Sequence, residues 1–71
     1  MEIKDIIAAA DTTSNPWVKQ LSNYTWEAIL TFAKRTTADS VALTLREAGA
    51  KTATQKSAYG EWIVTACWLN V

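Results

Sequence analysis

Histidine is absent from the 71 residues. Its loss removes the commonest general base and the commonest metal ligand, and with them every Ser-His or Cys-His nucleophile pair. Cysteine occurs once, as Cys67, so no intramolecular disulfide can form, which argues against a secreted, stapled miniprotein and for a reducing cytoplasm. One cysteine without histidine cannot assemble a four-ligand zinc site. Glycine occurs twice, as Gly49 and Gly60, and neither belongs to a phosphate loop or a dinucleotide motif. Net charge is missing as well. Seven basic and seven acidic residues cancel, leaving no global field to draw the chain onto nucleic acid or an anionic membrane. The first five residues lack the pattern of a signal peptide, and the longest strongly apolar run, 62–69, is too short to span a bilayer. The expectation is a cytoplasmic, non-enzymatic protein with no cofactor, no metal and no membrane span.

Half the residues are apolar and a fifth are charged, the balance of a folded chain rather than a disordered one. The length allows a single domain spanning 1–71, with no second module. So short a chain buries only about 60% of the surface it exposes when unfolded, so a partner or a second copy is a reasonable source of stability. No internal repeat is visible.

Apolar spacing points to helices. Ile3, Ile6, Ile7 and Ala10 fall on one face of a helix over 2–10. Asp11 to Pro16 breaks it, and Pro16 suits the start of the next. Trp17, Leu21, Tyr24 and Ala28 make one stripe and Trp26, Ile29, Leu30 and Ala33 another, consistent with helical structure from 16 to 35 with a break near 22–25. Thr36 to Asp39 matches a capping box ahead of a helix with Ala38, Val41, Ala42, Leu45 and Ala48 inward, closed by Gly49 in a left-handed conformation. Thr52 to Gln55 repeats that signature, and Tyr59, Trp62, Ile63, Ala66 and Leu69 keep helical spacing. The fold expected is an all-α single-domain bundle of four to five short helices. Its alternative is α+β with 61–70 as a strand, because that stretch is rich in β-branched and aromatic residues.

The acidic residues are scattered singly and read as solvated positions. Cys67, between Ala66 and Trp68, reads as a small core hydrophobe. The informative feature is four tryptophans, Trp17, Trp26, Trp62 and Trp68, each able to bury on the order of 150–250 Å². A core this small has difficulty enclosing them all. In a terminal helix, Val64, Trp68 and Val71 form a second apolar stripe, so Trp17, Val64, Trp68 and Val71 are the candidate partner-binding residues. The function expected is a protein-protein interaction module, of the size of small phage- or mobile-element-type inhibitors, that blocks a larger protein or complex or pairs as a homodimer. The alternative is a helix-turn-helix-like nucleic-acid-binding regulator over 37–60, using Arg46, Lys51, Thr54, Gln55 and Lys56.

Overall fold

Ile6 and Ile7 are buried on the inner face of a two-turn helix, α1 (Ile3–Ala9). A helix so short has little stability of its own and is held by the apolar surface it covers. The computed structural model describes residues 2–69. After α1 come β1 (Trp17–Gln20), β2 (Thr25–Phe32), α2 (Arg35–Glu47), β3 (Lys51–Lys56) and β4 (Trp62–Leu69). The four strands form one antiparallel sheet in the order β1-β2-β4-β3. Both helices pack on the same face, against one core drawn from both hairpins.

The chain is therefore α+β, and the all-α bundle expected from apolar spacing is corrected. Along β2, Trp26, Ala28, Leu30 and Phe32 alternate toward the helices, and along β4 Trp62, Val64, Ala66 and Trp68 do the same. Across the β2–β4 seam Trp26 stands opposite Trp68 and Phe32 opposite Trp62, with Ala28 opposite Ala66 and Leu30 opposite Val64 between them. Aromatic pairs close the ends of the seam, where cross-strand side chains support each other. The fully buried alanines occupy its middle. The segment 16–35 holds the first hairpin rather than helices, and 61–70, where a strand is the sequence's own alternative, holds β4.

Neither capping box forms. α2 begins at Arg35 behind Lys34, whose side chain makes no capping hydrogen bond, and Asp39 instead pairs with Arg35 at 3.5 Å. Thr52 and Gln55 lie in β3. The end of α2 matches its expectation: Gly49 has φ +107, its N–H donates to the Arg46 carbonyl at 3.0 Å, and the Ala50 N–H donates to the Leu45 carbonyl at 2.9 Å. This is a Schellman closure, which needs a left-handed residue.

A repeat that the sequence does not display is plain in three dimensions. Helix, hairpin, helix, hairpin is one αββ unit used twice, with β2 and β4 central and β1 and β3 at the edges. Its turns are built alike. Ser22 Oγ accepts hydrogen bonds from the N–H groups of Tyr24 and Thr25, and Ser57 Oγ accepts from those of Tyr59 and Glu61. The halves are also tied by the Thr13 hydroxyl, which donates to Glu61 Oε2 at 2.8 Å.

Candidate functional site

Two helices cover one face of the sheet, and no element of the described residues covers the other. Alternation assigns Thr25, Glu27, Ile29 and Thr31 of β2 and Ile63, Thr65, Cys67 and Leu69 of β4 to that open face. Trp17 joins them because it pairs with Ile29, and Lys19 because it pairs with Glu27. From β3 come Lys51, opposite Cys67, then Ala53 and Gln55. Leu69 is 68% exposed and Trp17 48% exposed. Ile29, Ile63 and Cys67 are half-buried on the same face. An antiparallel sheet facing water normally carries polar residues there. Here Ile29, Ile63 and Cys67 are interspersed with Glu27, Thr31 and Thr65 on the two central strands, between Lys19 on one edge strand and Lys51 on the other.

The β1 corner is exposed on both sides. All four of its residues are exposed. On the helix side a groove of about 400 Å³ runs between α1 and β1, lined by Lys4, Ile7, Ala8, Pro16, Val18 and Trp26. The Lys4 ammonium lies 4.0 Å from the centre of the Trp26 ring, and that of Lys19 lies 5.9 Å from the Trp17 ring. Each is a cation held against an aromatic face.

The expected partner-binding residues separate. Trp17 is on the surface. Val64 is fully buried and Trp68 is 5% exposed, because a strand turns both toward the helices where a helix would have turned them outward. Val71 lies outside the described residues. Three of the four indoles thus serve the helix-side core, and Trp17 alone is turned outward with the open face. Cys67 is half-buried on that face rather than packed in the core. Missed altogether are Leu69, Ile29 and Ile63 as surface residues. The signal available for them is the inverse of alternation: once Trp62, Val64, Ala66 and Trp68 point in, Ile63, Cys67 and Leu69 must point out.

The helix-turn-helix is corrected too. Lys51, Thr54, Gln55 and Lys56 lie on β3, an edge strand, so there is no recognition helix. Arg46 sits in the last turn of α2. Lys51 and Gln55 belong to the open face, while Thr54 and Lys56 belong to the other, so the five residues do not converge. Among the described residues no three His, Cys, Asp or Glu side chains gather where a metal could be held, no polar or charged side chain is buried, and no helix is long and apolar enough to cross a membrane. No protein-family model matches the chain, and neither the curated proteins nor the solved structures include a match to it.

Proposed function

We propose that this protein is a binding module that docks a larger protein on the open face of its sheet. The observation that carries this is the exposure of Trp17 and Leu69 on an uncovered sheet face that also holds the half-buried Ile29, Ile63 and Cys67. Large apolar side chains left exposed on an uncovered face are a mark of interaction sites. Strands of 4, 8, 6 and 8 residues present a surface of about 400 Å². Covered by a partner, it would bury about 800 Å² in total, the size of a weak, transient interface. The face carries Lys19 and Lys51 against Glu27, a balance of 2 − 1 = +1. Two copies face to face would bring four lysines together with two glutamates. A foreign protein with an apolar patch and acidic rim fits better than a second copy.

The test compares the wild-type chain with a Trp17→Ala, Leu69→Asp double variant, each immobilised and offered extract of the source cell. A protein held by the wild type alone, whose purified form shifts the amide resonances of β2 and β4 open-face residues, supports the proposal. Identical retention by both chains overturns it. So does a wild-type dimer that the double variant abolishes, or salt-sensitive retention of nucleic acid by both.

A further inference from the structure

The sheet has two edges, and they are not alike. β3 is bracketed by Lys51 and Lys56, a charge pattern that guards an edge against further strands, and it lies next to α2. β1 is short and uncovered, with an apolar groove along its helix side. The direction of its free backbone groups follows from one hydrogen bond. The Leu21 N–H donates to the Thr25 carbonyl at 2.8 Å, so residue 21 turns its backbone toward β2. Alternation then turns Lys19 and Trp17 the same way and leaves the N–H and C=O groups of Val18 and Gln20 pointing outward.

We propose that the outer edge of β1 and the groove beside it receive an extended segment of a partner protein, which adds antiparallel as a fifth strand. The residue opposite Val18 exchanges both backbone hydrogen bonds with it and directs its side chain to the groove side, over Ile7, Ala8, Pro16 and Trp26. That side chain is bulky and apolar, as the groove walls and a volume of about 400 Å³ require. Because the segment runs antiparallel, the residue that precedes it lies opposite Lys19. Glu27 stands across from Lys19 on the inner side without closing an ion pair, the one such pair among the described residues being Arg35 with Asp39. The outer side of Lys19 faces nothing. An acidic side chain next to the apolar one, turned to the open face by alternation, satisfies it. Main-chain pairing supplies affinity and the two alternating positions supply selectivity, the logic of strand addition.

This inference stands on the edge and the groove, not on the open face, and the test keeps them apart. The probe is a fluorescein-labelled ten-residue synthetic peptide of alternating valine and threonine with a central phenylalanine preceded by glutamate. It is titrated beside three relatives: phenylalanine to alanine, glutamate to lysine, and a methyl on the phenylalanine amide nitrogen. The parent should bind the wild-type chain about tenfold tighter than any relative, the loss of one hydrogen bond or one charge contact being enough. The Val18 and Gln20 amides should gain protection from hydrogen exchange. Val18→Pro removes an outward N–H that β2 does not use and should weaken the parent about tenfold. Lys19→Glu should invert the preference toward the lysine peptide, and Leu69→Asp, on the open face, should change nothing. Equal binding of all four peptides, no binding of the parent, or protection confined to β3 overturns the inference. The peptide arms test it even if Val18→Pro fails to fold.

Discussion

Trp26 and Trp62 hold equivalent places in the two halves of the molecule. Each lies near the start of a central strand, and each sits under a cation from the first turn of its own half's helix, Lys4 at 4.0 Å and Arg35 at 5.3 Å. Lys4→Ala and Arg35→Ala should each lower stability by about 0.5 kcal/mol. The two changes share no partner and should add within error. Urea denaturation of the two single variants and the double variant measures this, and a marked departure from additivity would mean that the halves are coupled through their helix starts.

Trp68 and Trp17 should behave oppositely. Trp68 is 5% exposed and faces Trp26 across the seam, so Trp68→Ala should cost about 3–5 kcal/mol. A domain of this length holds only about 4–10 kcal/mol, so the urea midpoint of the variant should fall by at least about a third, read by circular dichroism. Trp17→Ala should lie within about 0.5 kcal/mol of the parent and act on binding instead.

Gly49→Ala isolates a backbone effect. Nothing lies within 4 Å of where its Cβ would stand, yet φ is +107. The cost should be about 1–2 kcal/mol, read as a lowered denaturation midpoint with an unchanged slope.

The matching turns make a paired prediction. Ser22→Ala and Ser57→Ala each remove an acceptor for two backbone N–H groups, and each should cost about 0.5–1.5 kcal/mol. In both variants the faster hydrogen exchange should be confined to the altered hairpin. An effect spread over both hairpins would show that the turns do not act locally.

Much of the helical structure was legible in the sequence. Ile3, Ile6, Ile7 and Ala10 mark α1, and Ala38, Ala42, Leu45 and Gly49 mark the body and end of α2. The strands were hidden for two physical reasons. In β4 both faces are apolar, so Ile63, Cys67 and Leu69 mask the alternation of Trp62, Val64, Ala66 and Trp68, and helical spacing can be drawn through the mixture. In β2 the inward set includes Ala28, too small to stand out between Trp26 and Leu30. One misassignment then supported the other. With β2 taken as helix, β4 had no strand to pair with. The capping signatures misled because Thr36, Asp39, Thr52 and Gln55 are also ordinary surface residues, and a four-residue pattern carries no information about which hydrogen bonds form. Of the site, only Trp17 could be found, as the tryptophan that begins an edge strand.

The repeated αββ unit bears on how the molecule assembles. Each hairpin joins near neighbours in the chain, whereas the seam joins residues 30 positions apart at Phe32 and Trp62 and 44 apart at Thr25 and Leu69. Closing that long loop is the entropically costly event, so zipping of the two inner strands should set the refolding rate. A backbone cut between Ala33 and Lys34 would leave one helix and one hairpin on each fragment. The two pieces, mixed in equal amounts, should recover the intact chain's dichroism in a concentration-dependent manner.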